Sequence, residues 1–513
     1  MAHISFLQCE LEHRHQAPHL PMCLYAADLQ RCGHRVDKAM VHPTALDEAA
    51  SSLEPSVEMI VVDAVFPFGM IRRLQEITSL PVLVGGHNAL QHMLRGSADF
   101  AIVGPGRAPL FAFVSGQNPS EIPGLWWRTE AGQLDCGGAL SIAGRSLAAE
   151  LDPFEPDDDW DYFGPPRAPG SNRRIPSIVA DFGCVWNRSI LESEGTFSPF
   201  QEVRSRLPDV AMTSAAQSVI QEHFIDQEGG CSFCVLRYSR RTSDKNTDVL
   251  SSLVTQARRH IEAGAHGLSL QTEHPLPFLV ALLDQLSEAG LTDSLDEIHI
   301  RTIPWLLLRH EEQLIAAIER GREFRVQIVL AQVGFEAFDP FSMELFHKGL
   351  SAAENRAAAR LLSRLDEKYQ PHFVGTTGHG FIPFHPWTRP GDLRTNIEAC
   401  REDAPWLLPA ISPERRVELY AEWSPLFWKA EDEGLLRTSP EGFGWDWEFK
   451  DSGTGEIVST ARSVIASHGG LPAGGAVEVL EEVLTIWESG LSPAERRGRY
   501  VTLHGPRALR GGP

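Results

Sequence analysis

The sequence predicts an α/β protein in three parts: a doubly wound N-terminal domain, a partial or full β/α barrel, and a C-terminal helical cap. Three observations carry this. Short apolar runs alternate with helical patterns over residues 1–120, and a second alternation of the same kind starts near residue 175. Between them lies the acidic, proline-rich run Leu151-Asp152-Pro153-Phe154-Glu155-Pro156-Asp157-Asp158-Asp159-Trp160, which breaks both periodicities. The domains are therefore 1–120, a linker over 121–172, the barrel over 173–400 and the cap over 401–513.

In chain order, residues 4–7, 35–41, 59–65, 81–84 and 100–103 read as strands, with helices at 23–32 and 70–77 between them. In a doubly wound sheet ligands lie at the carboxyl ends of the strands. The loops there begin at Asp63, at Gly85-Gly86-His87 and at Gly104, and glycine at two of three ends suits either a large ligand against the backbone or the ordinary ending of a strand. The barrel strands are expected at 176–182, 266–270, 297–303, 324–330, 373–375 and 380–384, with helices at 248–263, 314–319 and 352–365. Beyond residue 400, Trp406, Trp423, Trp428, Trp445, Trp447 and Trp487 lie in or beside helical stretches (414–428, 476–487) and are expected in a core.

The formal net charge of -22 argues against a nucleic-acid backbone as the main partner, which needs a concentrated basic surface. No run of about 18 apolar residues and no leader-like N-terminus is found, so a cytoplasmic protein without a membrane partner is expected. Eight cysteines in a chain of 513 residues are no disulfide framework. Cys9, Cys23, Cys32, Cys136 and Cys400 are expected to be buried small hydrophobes. Cys231 and Cys234 differ, because Gly229-Gly230 opens their loop and two intervening residues let both sulfurs reach one metal or cluster edge. On spacing alone they fit part of an iron-sulfur site, or a structural zinc site completed by a histidine such as His223.

Val82-Leu83-Val84-Gly85-Gly86-His87, followed by Ala98-Asp99-Phe100-Ala101-Ile102-Val103-Gly104, resembles the cobalamin-binding, Rossmann-like domain found ahead of radical S-adenosylmethionine (SAM) domains. Gly104-Pro105-Gly106-Arg107 replaces the usual G-E-G-E, and no D-x-H-x-x-G occurs near residues 9–19. The resemblance implies cobalamin held by Gly85, Gly86, His87 and Gly104. Further on, Gly230-Cys231-Ser232-Phe233-Cys234 resembles the end of the radical SAM signature C-x-x-x-C-x-x-C. Gln332 to Phe338 with Phe346-His347-Lys348-Gly349 resembles its "E-x-G-x-ES... N-K-G" segment, and Phe381 to Thr388 its "GFI-x-F-x-P-x-T" strand.

Gln227 stands where the signature has its first cysteine. Asp181-Phe182-Gly183-Cys184 resembles the opening of the same loop, as though residues 185–230 split it, so the resemblance implies a [4Fe-4S] cluster on Cys184, Cys231 and Cys234. It further implies SAM contacts by Phe233 (adenine), Glu273 (amino group) and Glu336 (ribose), and an electron donor such as a flavodoxin or ferredoxin. The activity implied is methylation of an unactivated carbon of a small metabolite or peptide precursor, with cyclisation or rearrangement as other radical outcomes. A scaffold that has lost the cluster but still binds cobalamin or another ligand is the remaining alternative.

Overall fold

The computed structural model describes residues 1–9, 20–63, 68–86, 89–104, 106–138, 175–180, 210–222, 230–234, 247–272, 274–377, 379–419, 424–438, 445–468 and 475–504. The first sheet holds β1 (His3–Cys9), β2 (Arg35–Val41), β3 (Met59–Asp63), β4 (Val82–Gly85), β5 (Phe100–Ile102), β6 (Leu125–Arg128) and β7 (Leu134–Cys136), in the order β2-β1-β3-β4-β5-β6-β7. Its first five strands are parallel. Both faces are covered. Leu7, Ile60, Val62, Val82 and Val84 pack on one side with Leu46, Ile71 and Met93. Ile4, Phe6, Val61 and Leu83 pack on the other with Leu29 and Leu110. Strands buried on two faces read as continuous apolar runs, and for that reason they are visible in the sequence.

The first sheet runs on past residue 120. Residues 125–136 form an antiparallel hairpin that extends the first sheet, with Trp126 fully buried. A segment from between Cys184 and Cys231 docks on its outer strand: Leu134 N–H donates to Ala211 O (2.8 Å), Thr213 N–H to Leu134 O (3.0 Å), and the Thr213 hydroxyl to Asp135 Oδ1 (2.6 Å).

The second sheet runs β12 (Phe373–Val374), β11 (Gln327–Glu336), β10 (Glu297–Thr302), β9 (Gly267–Gln271), β8 (Ser177–Val179), all parallel, and β13 (Gly380–Phe381) pairs with the far end of β11. Ile178, Leu268, Leu270, Ile298, Ile300, Ile328 and Leu330 face the helices Leu279–Glu288 and Glu311–Phe324 through Leu282, Leu286, Leu314 and Ile318. The opposite face is polar. Gln271 Nε2 bonds the hydroxyls of Ser177 (3.0 Å) and Ser269 (3.1 Å), and His299 Nε2 lies 2.9 Å from Glu297 Oε2. Arg301 pairs with Gln332 because β11 carries one extra residue at Ala331.

In the cap, helices Pro390–Asp403, Pro425–Asp432, Ser452–Ser467 and Gly475–Glu488 join the same apolar core. Residues 414–419, expected to be helical, are not: Val417 N–H donates to Phe384 O (2.7 Å), joining this segment to the barrel's last strand region instead. Trp428 and Trp447 are buried and Trp406 and Trp487 pack against the core, whereas Trp423 and the Trp445 side chain lie outside the described residues. Cys9, Cys136 and Cys400 are buried as expected; Cys32 is exposed, since the turn at Gly33 lifts it off the helix that precedes it. Among the described residues no helix is long and apolar enough to cross a membrane.

Candidate functional site

The cysteine loop is fastened through the residue between the sulfurs. Ser232 is fully buried; its hydroxyl donates to Leu345 O (2.6 Å), its N–H to Phe346 O (3.1 Å), and its carbonyl accepts from Leu426 N–H (3.0 Å). Cys234 N–H closes the turn onto Cys231 O (3.2 Å), and the Phe233 ring meets Phe346 edge-on, centroids 5.1 Å apart. Both cysteines are half-buried. Thus the loop is held by the end of helix Pro340–Phe346 on one side and by the cap helix Pro425–Asp432 on the other.

Beyond Phe346 the chain reverses at His347 (φ +51°) and brings Lys348 inward. Lys348 Nζ bonds Glu336 Oε1 at 2.9 Å, with both residues buried. Burial opposes the ammonium charge, but Glu336 together with Cys231 and Cys234 outweighs it and holds Lys348 above the usual lysine range. A cation is therefore set next to the two thiols, where it would favour their thiolate form.

Glu336 ends β11 in the left-handed region (φ +61°), and its carboxylate folds back over Gly334. A Cβ on Gly334 would sit 2.4 Å from Glu336 Oε1 and 3.0 Å from Lys348 Nζ, so any side chain there would have to push the ion pair aside.

A layer of buried amides and one histidine fixes this arrangement. Asn355 Nδ2 donates to Phe335 O (2.8 Å) and Ala337 O (2.6 Å), while Asn396 Oδ1 accepts from the N–H groups of Phe338 (2.6 Å) and Asp339 (3.0 Å). Asp339 caps helix Pro340–Phe346 by accepting from Ser342 N–H (2.7 Å). Burial, with Arg389 adding to it, pushes the fully buried His385 down to about 3. It is thus neutral: Nδ1 accepts from Trp387 N–H (3.2 Å), leaving Nε2–H for the Ser342 hydroxyl (2.8 Å), and its ring buttresses Phe346.

At the other expected site, the order β2-β1-β3 puts the reversal of strand order between β1 and β3, with Asp63 and Gly85 at the carboxyl ends. Among the described residues, a Cβ on Gly85 would meet nothing within 4 Å. Gly86 (φ +120°) and Gly104 (φ +100°) end their strands in conformations reserved for glycine. Gly106 N–H donates to the Tyr25 hydroxyl (3.2 Å), tying the loop after β5 to helix Leu20–Arg31.

The structure brings together Cys231, Cys234, Phe233 and Glu336, and keeps Gly85, Gly86 and Gly104 along one end of the first sheet. Cys184, Glu273, His87, Gln227 and His223 lie outside the described residues. Among the described residues no three His, Cys, Asp or Glu side chains gather as a metal site, and the third cysteine of the expected triad is not among those residues. Lys348 and His385 lie inside the Phe346–Gly349 and Phe381–Thr388 stretches without either pattern marking them as functional, and Asn355 and Asn396 carry no local signature.

The two domains and the cap define a class by their fold: it is the fold of cobalamin-dependent radical SAM enzymes. Two solved structures show it. One is the radical SAM methyltransferase TsrM from Kitasatospora setae, determined with cobalamin and a [4Fe-4S] cluster bound, at 13% identity and a TM-score of 0.51, covering 96% of this chain and 100% of that one. The other is the cobalamin-dependent SAM radical enzyme OxsB, at 12% identity and a TM-score of 0.53, covering 99% of this chain and 71% of that one. No family model and no curated protein matches the sequence.

Proposed function

We propose that this chain is a cobalamin-dependent radical SAM enzyme that methylates an unactivated carbon of a small metabolite or peptide precursor. The observation that carries the reading is the buried Lys348–Glu336 pair beside the Cys231-Ser232-Phe233-Cys234 loop, at the carboxyl end of a parallel sheet. The donor set fits the group: soft thiols on a fastened loop, with a neighbouring cation to offset their charge. Cys184, Cys231 and Cys234 would hold a [4Fe-4S] cluster. Gly85, Gly86, His87 and Gly104 would hold cobalamin.

When bound, the cluster, SAM and cobalamin supply one-electron chemistry and a transferable methyl group. The chain supplies position. Phe233 offers a ring for the adenine, Glu273 a carboxylate for the methionine amino group, and Glu336 its second oxygen for the ribose, the first being committed to Lys348. An electron donor such as a flavodoxin or ferredoxin completes the reaction.

Anaerobic reconstitution with iron and sulfide tests this. About four irons per chain are expected, lost together on replacing Cys184, Cys231 or Cys234 by Ala. With SAM carrying a deuterated methyl group, the label is expected in product. Zinc in place of iron would move the assignment to a structural site, and a product without the label would remove methylation.

A further inference from the structure

The polar face of the second sheet carries an arginine that has no partner among the described residues. Side chains alternate across a strand, so Glu297, His299 and Arg301 of β10 lie opposite Ile298 and Ile300, which are in the core. On that polar face Gln271 is engaged with Ser177 and Ser269, His299 with Glu297, and, at the strand ends, Lys348 with Glu336. Arg301, half-buried near the carboxyl end of β10, has no hydrogen bond or ion pair among the described residues. Its register partner Gln332 is exposed and equally unengaged. Carboxylates are not scarce in a chain with 68 acidic against 46 basic residues. Yet among the described residues none is placed against this guanidinium.

We propose that Arg301, assisted by the Gln332 amide, receives an organic carboxylate on the polar face of the barrel; this rests on reading that face as the reaction chamber. A guanidinium presents two parallel N–H groups that match the two oxygens of a carboxylate, and the pairing is strongest where water is partly excluded. Arg301 is half-buried and its nitrogens are not among the buried polar atoms without a partner, so water reaches the guanidinium and a carboxylate would displace that water. A single cation beside an amide, with Glu297 and Glu336 on the same side of the sheet, suits a monoanion better than a phosphate dianion. The carboxylate has two sources: the methionine part of SAM, or the substrate itself, which would then be an acid.

Labelling of Arg301 by phenylglyoxal, followed by peptide mass spectrometry on the full-length reconstituted protein, tests the assignment without an activity assay. Iron is counted in the same sample. Arg301 is expected to react in ligand-free protein, and benzoate is expected to slow the reaction roughly tenfold more than the neutral isostere benzamide. Protection by SAM but not by decarboxylated SAM assigns the site to the methionine carboxylate. Benzoate protection that persists in SAM-saturated protein assigns it to the substrate. Arg301→Gln, folded by the criterion of an unchanged melting temperature, is expected to bind SAM and decarboxylated SAM alike in the first case, and to keep wild-type discrimination between them in the second. An unreactive Arg301 in ligand-free protein, or equal reactivity with acid and amide and with SAM and its decarboxylated form, overturns the proposal. Acid-selective protection without bound iron removes the cluster and leaves this site standing; iron without acid selectivity does the reverse.

Discussion

Replacing Lys348 by Met leaves the Glu336 carboxylate buried with its ion-pair partner gone. The side chains of the pair are only 5% and 12% exposed, so water cannot take the ammonium's place. Removing one member of a buried pair costs roughly 3–5 kcal/mol, most of it the penalty of the stranded charge rather than the worth of the bond. Glu336 has little room to escape. Its backbone is held in the left-handed region and its carboxylate lies over Gly334 and beside Gly380. Lys348→Met is therefore expected to lower the unfolding free energy of iron-free protein by about 3–5 kcal/mol in urea titration. Glu336→Gln in the same chain neutralises the stranded group, and the double variant is expected to recover about 2 kcal/mol or more of that loss. Two single replacements that each cost under about 1 kcal/mol and simply add would refute the claim that these groups form one coupled, desolvated unit.

Three more outcomes can be checked. Glu433 is opposed by burial but accepts from Lys429 (2.6 Å), Lys450 (2.8 Å) and the Trp387 indole (2.8 Å), which bring it from 4.5 down to about 2. Its contribution, about 1–2 kcal/mol after solvent screening, is present above the unfolded value and lost as pH falls from 4.5 toward 2, and Glu433→Gln is expected to flatten that part of the acid-unfolding curve. Gly334→Ala drives a methyl group into the Lys348–Glu336 pair and is expected to cost about 1–3 kcal/mol in the same titration, with no such loss for Ala at the open Gly391 position. Ser232→Ala leaves the Leu345 carbonyl without its hydroxyl donor; a loss of about 1–3 kcal/mol and faster release of iron to a chelator are expected.

What the sequence disclosed follows from how each part is stabilised. Apolar strands such as Met59–Asp63 and Val82–Gly85 are buried on both faces and announce themselves by composition. The hairpin at 125–136 did not, because Ile122-Pro123-Gly124 before it reads as a break, and its pairing with β5 is a tertiary event. Strand β11 was expected to stop at Leu330. It continues to Glu336 through Gln332 and Gly334, residues of low strand preference placed there by the polar face and by the ion pair. The cysteine loop was legible from spacing, whereas Lys348 arrives from a distant turn and its closeness to the thiols exists only in the folded chain.

The docking of Ala211 and Thr213 on β7 has an architectural outcome. After Val179 the polypeptide leaves the second sheet, stitches itself to the border of the first, and only then returns to present its paired sulfurs. An outer strand that would otherwise offer bare amides for aggregation is given a mate at Leu134. The same stitch makes residues 211–213, which follow Cys184 and precede Cys231 in the chain, part of the first sheet's border.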